Sequence, residues 1–166
     1  MPHYFAYGSN MGNLQMQTRC PDSQRLGKAT LFGFRWNIAA DGYATIHPAP
    51  DDYVEGVLFE ISATDELALD HFEEIHLGAY FKCTLPVMPH PSPQSESAAC
   101  NLTPSASGSL PGDTCCEALV YRNTDSGSGN VSPEYGKRLI IAVNDAVLES
   151  SYIERYLQPF LPELRR

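Results

Sequence analysis

Two segments of the chain carry residues suited to ligand binding or proton transfer. The first is a turn, Gly8-Ser9-Asn10, which directly follows an aromatic segment that favours a β-strand. Backbone N–H groups left unpaired in such a turn can hold a carboxylate or a polarised carbonyl oxygen. Gly8 is expected to supply unusual backbone angles and room for a ligand. The turn is thus either an anion-binding element or an ordinary connection, and residue types alone favour the connection.

The second segment is a predicted helix from Thr64 to His76 that carries four carboxylates: Glu66, Asp70, Glu73 and Glu74. A helical wheel places them opposite an apolar face formed by Leu67, Ala68, Leu69, Phe72 and Ile75, which predicts a solvated charged surface. A carboxyl group that acts as general acid or base must instead be partly shielded from water. Glu73 lies at the edge of the apolar face, but the pattern does not select it over Glu74.

Residue spacing disfavours several other chemistries. Gly8 immediately precedes Ser9, whereas the nucleophile elbow of serine hydrolases needs glycines two residues before and two after the serine. His71 and His76 are five residues apart, so on a helix their rings are predicted to point to different faces, which argues against zinc. No phosphate-binding loop or dinucleotide fingerprint follows any predicted strand.

Composition narrows the range of partners. The chain has 11 Lys and Arg against 20 Asp and Glu, a formal charge of −9, which disfavours nucleic acid because phosphate backbones are repelled. Its five cysteines show no CxxC spacing and are predicted to be free thiols. The longest apolar runs fall well short of the ~20 residues of a membrane span, and no signal peptide is evident. We expect a cytoplasmic protein without a membrane partner.

The elements that must position these residues are mostly strands. Six short strands are predicted, at His3–Tyr7, Ala29–Ala39, Tyr43–His47, Val54–Ile61, Ala79–Val87 and Glu117–Arg122. They cluster before the later helices and do not alternate with them. This order favours an α+β fold with a largely antiparallel sheet or barrel.

Helix-start signals mark the remaining elements. Ser62 and Asp65 form a predicted capping box before the carboxylate-rich helix, and Ser132-Pro133 starts another. Shorter helices are predicted over 14–19 and from Ser151 to Pro159. We expect one domain over residues 1–166. The segment 88–114, with five prolines and no aromatic residue, is predicted to be a flexible insertion.

Four motifs, in order along the chain, resemble those of the γ-glutamylcyclotransferases. They are YFAYGSNM at Tyr4–Met11, Arg19-Cys20-Pro21, LDHFEEIHLGAY at Leu69–Tyr80, which is similar to the family's LDxxEGxxxGxY, and SPEY at Ser132–Tyr135, which is similar to its SPxY. The resemblance covers most of the chain apart from 88–114. It implies a small mixed, mostly antiparallel β-barrel flanked by helices.

The resemblance also implies site residues and a reaction. Glu73 takes the catalytic position, and the substrate-binding positions fall on Tyr4, Phe5, Ala6, Tyr7, Gly8, Ser9, Asn10, Tyr121 and Tyr135. The family usually has glycine where this chain has Glu74, and a second carboxylate there is expected to raise the pKa of the first. The implied reaction releases 5-oxoproline and an amine from a γ-glutamyl amide, with no cofactor or metal.

The substrate's amine half and two rival functions stay open. Asn10 points to the γ-glutamyl amino acid branch, because other branches tend to carry leucine there; glutathione-derived conjugates remain candidates. A non-catalytic binding module of the same fold would lack the proton-transfer glutamate. A metal-dependent amidohydrolase using His71 and His76 is disfavoured. The expected partner is a small γ-glutamyl molecule, and a homodimer is left open.

Overall fold

A five-stranded barrel forms the centre of the molecule. The computed structural model describes residues 1–91, 114–125 and 127–165. The strands, which close in the order β1-β3-β2-β4-β5, are β1 (His3–Ala6), β2 (Gln24–Ile38), β3 (Ala44–Glu60), β4 (Tyr80–Pro89) and β5 (Cys116–Asn123). β1 runs parallel to β5, and the other described pairings are antiparallel. The predicted mixed, mostly antiparallel barrel is confirmed.

The β2–β3 hairpin is longer and more continuous than the sequence predicts. β2 has 15 residues and β3 has 17, so the two segments predicted at Tyr43–His47 and Val54–Ile61 belong to one strand. Pro48 does not end β3, because it pairs with Phe34 beside a register shift in β2 that accommodates the irregularity. The tight turn between the strands contains Asp41 and Gly42, whose φ of 88° favours glycine.

Within the described ranges, four helices lie outside the barrel: α1 (Asn13–Arg19), α2 (Ala63–Phe72), α3 (Pro133–Ala146) and α4 (Ser150–Tyr152), the last continuing as a π-helical turn over Ile153–Leu157. The predicted capping box is present, since Ser62 Oγ accepts from the Asp65 amide at 3.1 Å and the Asp65 carboxylate accepts from the Ser62 amide at 3.2 Å. α2 therefore starts where the sequence indicates.

The end of α2 differs from the prediction. The helix stops at Phe72 because Glu74 adopts a left-handed backbone conformation, with φ of 50°, and a 3-10 turn at Ile75–Leu77 follows. A left-handed residue ends the α-helical hydrogen-bond ladder. Glu73 consequently caps the helix instead of lying within it.

The core joins the barrel to α3. Phe5, Trp36 and Ile46 are fully buried, and the Trp36 indole N–H donates to the Tyr7 carbonyl at 3.0 Å. Buried side chains of α3 include Leu139, and this helix packs on the 3-10 turn Ser9–Met11 that follows β1. The Gly8-Ser9-Asn10 segment thus lies between the barrel and α3.

Part of the predicted insertion belongs to the sheet. Met88 and Pro89 lie in β4 and pair with Thr30 and Ala29 of β2. Residues 92–113 lie outside the described part of the chain, so the insertion and the single-domain organisation stay predictions. None of the helices in the described ranges has the length and apolar content needed to cross a bilayer.

Candidate active site

A cavity of about 210 Å³ opens where the turn after β1, the C-terminal end of α2, the β2–β3 turn and the start of α3 meet. Six of its lining residues are tyrosines: Tyr4, Tyr7, Tyr43, Tyr80, Tyr121 and Tyr135. The others are Gly8, Ser9, Asn10, Arg19, Asp41, Ala44, Phe72, Glu73, Glu74, Ala79 and Arg138. A small polar molecule fits a cavity of this size, and the cavity walls offer many hydrogen-bonding groups.

Glu73 brings a carboxyl group to the wall of this cavity. Its backbone amide donates to the Leu69 carbonyl at 2.8 Å, which fixes the residue to the last turn of α2. Burial raises the pKa of Glu73 from 4.5 to about 7, while the positive charge of Arg19 and a hydrogen bond from Asn10 oppose the rise. A carboxyl group with a pKa near neutrality can both accept and donate a proton.

The side-chain amide of Asn10 donates a hydrogen bond to Glu73, and the other hydrogen-bond partners of Asn10 fix the orientation of that amide. The side-chain oxygen of Asn10 accepts from Gln15 Nε2 at 2.8 Å and from Arg19 at 2.9 Å. Arginine can only donate, so the Asn10 amide nitrogen must face the opposite way. There it donates to the Tyr4 hydroxyl at 2.9 Å and to Glu73 Oε1 at 3.2 Å.

The tyrosines of the β1 side are neutral hydroxyls held in place. Burial raises the pKa of both Tyr4 and Tyr7 well above 10, so each keeps its proton. The Tyr7 hydroxyl donates to the backbone carbonyl of Tyr121 on β5, which ties the residue before the turn to the neighbouring strand. Tyr4 and Tyr121 also pack edge to face at 5.8 Å.

Tyr121 is anchored by a charged network behind the cavity. Its hydroxyl donates to Asp70 Oδ1 at 2.7 Å, and the other Asp70 oxygen accepts from Lys82 Nζ at 2.8 Å. Lys82, the cross-strand neighbour of Tyr121, also donates to Glu66 at 2.8 Å. The network fixes the ring of Tyr121 from α2 and β4 together.

Tyr135 approaches the turn closely enough to explain Gly8. A Cβ atom added at Gly8 would lie 3.2 Å from the Tyr135 hydroxyl and 3.4 Å from the Ala44 side chain. The φ of Gly8 is −122°, so the expected unusual backbone angle is absent and space is what glycine supplies here. The Ala44 amide donates to the same hydroxyl at 3.4 Å, and burial raises the pKa of Tyr135 to about 12.

The turn itself offers backbone donors. The Met11 amide donates to the Gly8 carbonyl at 3.0 Å and the Gly12 amide to the Ser9 carbonyl at 3.1 Å. Within the described residues, the amides of Gly8, Ser9 and Asn10 donate to no backbone carbonyl. Amides at the start of a helical turn are suited to a carboxylate or an oxyanion.

The sequence match decides the family. A family model described as "Gamma-glutamyl cyclotransferase, AIG2-like" matches residues 4–107, more than half of the chain. The chain belongs to this family. The match contains the β1 turn and the Glu73 segment, two walls of the cavity.

Solved structures share the cyclotransferase fold. A gamma-glutamyl cyclotransferase superposes with a TM-score of 0.73 at 22% identity, covering 93% of this chain and 85% of that chain. An uncharacterized human protein gives 0.72 at 23%, covering 92% and 84%. A yeast gamma-glutamyl cyclotransferase specific to glutathione gives 0.61 at 12%, covering 99% and 97%. At these identities the similarity establishes the fold. No curated protein sequence matches the chain significantly.

The structure brings most of the residues assigned by the cyclotransferase resemblance to one cavity. Tyr4, Tyr7, Gly8, Ser9, Asn10, Glu73, Tyr121 and Tyr135 all line it. Phe5 and Ala6 do not: both are at most 1% exposed, and the Phe5 ring packs against Gly56 in the barrel core. Strand alternation explains Phe5, which faces the side opposite to Tyr4. Ala6 shares the face of Tyr4, but its small side chain is buried in the core cluster.

Sequence reasoning missed several lining residues, and some had a usable signal. Tyr80 ends the GxY part of the cyclotransferase motif, and its hydroxyl donates to the Ala44 carbonyl at 2.8 Å. Arg19 belongs to the Arg-Cys-Pro motif, and Asp41 lies in an Asp-Gly turn typical of hairpins. Arg138 lies one helical turn after Tyr135, and no pattern singled it out.

The helical-wheel prediction for α2 is correct for Leu69, which is buried, and for Glu74, which is exposed, but wrong for most of the other residues. Leu67 is 70% exposed and Phe72 46% exposed, whereas Glu66, Asp70 and Glu73 turn towards the barrel and the cavity. Partners on β4, β5 and the β1 turn compensate these charges, and a single-helix wheel cannot include them. The side of α2 that carries Asp70 and Glu73 therefore faces Tyr121 and the cavity.

Two further expectations about α2 change. Glu74 is exposed, and burial rather than its charge raises the pKa of Glu73. His71 and His76 do not point apart: their rings stack with centroids 5.9 Å apart and planes within 5°, because the left-handed turn brings the chain back. The described residues contain no group of three or more His, Cys, Asp or Glu side chains placed to hold a metal ion.

Proposed function

We propose that this chain is a γ-glutamylcyclotransferase that converts γ-glutamyl amides into 5-oxoproline and a free amine. The observation that carries the proposal is the half-buried Glu73 carboxyl group, with its pKa raised to about 7, facing the cavity beside the Gly8-Ser9-Asn10 turn. A buried carboxyl group in a tyrosine-lined cavity is suited to proton transfer. Membership of the cyclotransferase family supports the same reaction.

The chemistry moves two protons from the α-nitrogen to the leaving nitrogen and needs no external nucleophile. Glu73, as carboxylate, accepts a proton from the substrate's α-ammonium group, and the freed nitrogen attacks the γ-carbonyl carbon to form the ring C–N bond. Glu73 then donates that proton to the amide nitrogen as its C–N bond breaks. This transfer returns Glu73 to the carboxylate form. The ring nitrogen then gives up its second proton to the departing amine, which leaves as an ammonium ion. Because the nucleophile is tethered, holding it in an attacking geometry contributes much of the rate.

The cavity walls provide the positioning that this reaction needs. The Gly8 and Asn10 amides of the turn, which donate to no backbone carbonyl among the described residues, are suited to hold the α-carboxylate of the glutamyl group or the oxygen that becomes negative during attack. Neutral hydroxyls of Tyr4 and Tyr135 add donors around Glu73. Asn10 keeps Glu73 in a fixed rotamer while it exchanges its proton.

Identification of the product tests the proposal. The purified protein is incubated with γ-glutamyl dipeptides and with glutathione, and 5-oxoproline and glutamate are quantified separately by mass spectrometry. We expect 5-oxoproline without glutamate, at a rate that chelators do not change. Free glutamate lost on chelation would instead indicate a metal-dependent amidohydrolase. Binding of a γ-glutamyl dipeptide without either product would indicate a binding module.

A further inference from the structure

Arg138 is a cation in the cavity that the described protein groups leave unpaired. Its side chain lines the cavity from α3, one turn after Tyr135. The Nε atom is buried and makes no hydrogen bond within the described residues, and no carboxylate there lies within salt-bridge distance of the guanidinium. A buried guanidinium nitrogen without a partner costs stability unless a ligand completes it.

The other arginine of the cavity has a different position. Arg19 donates to Asn10 Oδ1 at 2.9 Å, and its guanidinium lies 4.5 Å over the Phe72 ring. It is committed to orienting Asn10, and through Asn10 to Glu73. Arg138 instead lies over the Tyr135 ring at 5.4 Å, an interaction that leaves its N–H edge available.

Charge balance indicates what Arg138 can bind. A γ-glutamyl amino acid has a carboxylate on each half, whereas a γ-glutamyl alkylamine has one on the glutamyl half alone. The Gly8 and Asn10 amides of the β1 turn, which donate to no backbone carbonyl in the described part of the chain, are suited to the glutamyl carboxylate. The chain has a formal charge of −9, so a second carboxylate needs a local cation to be held in the cavity.

The location of Arg138 favours the amine half of the substrate. The Tyr135 hydroxyl points inward to Gly8 and Ala44. The Tyr135 ring is in contact with the Arg138 guanidinium and also with the ring of Tyr43, which is 46% exposed. We assign the amine half, which must leave for solvent, to the side of the cavity where the exposed Tyr43 lies.

We infer that Arg138 binds the carboxylate of the amine half and thereby makes the site discriminate between γ-glutamyl compounds that carry this carboxylate and γ-glutamyl alkylamines that lack it. The inference rests on the proposed cyclotransferase reaction. It assigns Arg138 the role of a specificity-determining residue, since it contacts a part of the substrate that does not react.

The test compares two substrates that differ by one carboxylate. γ-Glutamyl-alanine and γ-glutamyl-ethylamide are identical except for that group. For wild type we expect kcat/KM to favour the alanine compound by roughly 10- to 100-fold, the scale of a hydrogen-bonded charged pair. Arg138→Met should remove this preference by lowering kcat/KM for γ-glutamyl-alanine alone, and Arg138→Lys should restore part of it.

Lys137→Met provides the matched control, because Lys137 is an exposed cation on the same helix. It should leave both substrates near wild-type values, and melting temperatures establish that all variants fold. Equal losses on both substrates in Arg138→Met would overturn the inference, since they would place Arg138 on the glutamyl half. Unchanged kinetics would also overturn it.

Failure of the proposed reaction would be distinguishable. If wild type forms no 5-oxoproline from either compound, the reaction is wrong, and Arg138 is then tested by calorimetric binding of the same pair. Tighter binding of γ-glutamyl-alanine that Arg138→Met abolishes would support the carboxylate site. Equal affinities for the two compounds in wild type would contradict it.

Discussion

The amide nitrogen of Asn10 lies 3.2 Å from Oε1 of Glu73 and donates a hydrogen bond to it. Arg19 fixes that direction, because its guanidinium occupies the Asn10 oxygen at 2.9 Å. Burial favours the protonated form of Glu73, whereas Asn10 and Arg19 favour the carboxylate. The pKa of about 7 is the balance of these opposed effects.

Asn10→Ala should move the acid limb of the pH–rate profile. Loss of the Asn10 donor removes one of the two groups that lower the pKa of Glu73, so that pKa rises. The profile of kcat/KM for 5-oxoproline release should therefore shift to higher pH. Asn144→Ala, at an exposed position on α3, serves as the control. An acid limb that stays at its wild-type pH would show that Asn10 does not tune Glu73.

Asp70 is predicted to act by positioning Tyr121. Asp70→Ala removes the 2.7 Å partner of the Tyr121 hydroxyl, and we expect kcat/KM to fall about tenfold, the scale of one hydrogen bond to a charged group. Glu66→Gln is the comparison, since Glu66 shares Lys82 with Asp70, whereas the Tyr121 hydroxyl donates to Asp70. Tyr121→Phe should match Asp70→Ala. Equal losses in the Asp70 and Glu66 variants would instead assign the effect to Lys82.

The pH dependence of stability should report the buried carboxyl group. Because burial raises the pKa of Glu73 from 4.5 to about 7, the unfolded chain releases this proton first as the pH rises. The contribution of this group to the free energy of unfolding therefore falls between about pH 4.5 and pH 7. Glu73→Gln should have the same melting temperature as wild type at pH 4 and a higher melting temperature than wild type at pH 8. A constant difference between the two proteins across this range would argue against a raised pKa.

Local sequence patterns predict the starts of those helices that are determined by interactions within a few residues. The Ser62–Asp65 capping box starts α2, and Ser132-Pro133 starts α3, because each signal acts within one turn of backbone. The strand count was less accurate, since the register shift opposite Pro48 depends on the partner strand. Motif resemblance located most of the cavity, because residues brought together by the barrel are far apart in the sequence.

What the sequence patterns missed depends on tertiary contacts. Lys82 and Tyr121 turn the charged side of α2 inward, and neither is visible from the helix alone. The left-handed conformation of Glu74 ends α2 and moves His76 beside His71. Glycine favours that conformation, which accounts for the glycine that usually follows the glutamate in the family's LDxxEGxxxGxY motif. Glu74 meets the same backbone requirement with its side chain exposed to solvent.

The turnover of two adjacent variants tests the proton-transfer role of Glu73 most directly. Glu73→Gln keeps the side-chain shape and the acceptor for Asn10 but removes the basicity, so kcat for 5-oxoproline release should fall by at least about 100-fold with a much smaller change in KM. Glu74→Gln makes the same chemical change at the neighbouring exposed residue and should stay near wild type. Wild-type turnover by Glu73→Gln would contradict the account. An inactive Glu74→Gln beside an active Glu73→Gln would transfer the role to Glu74.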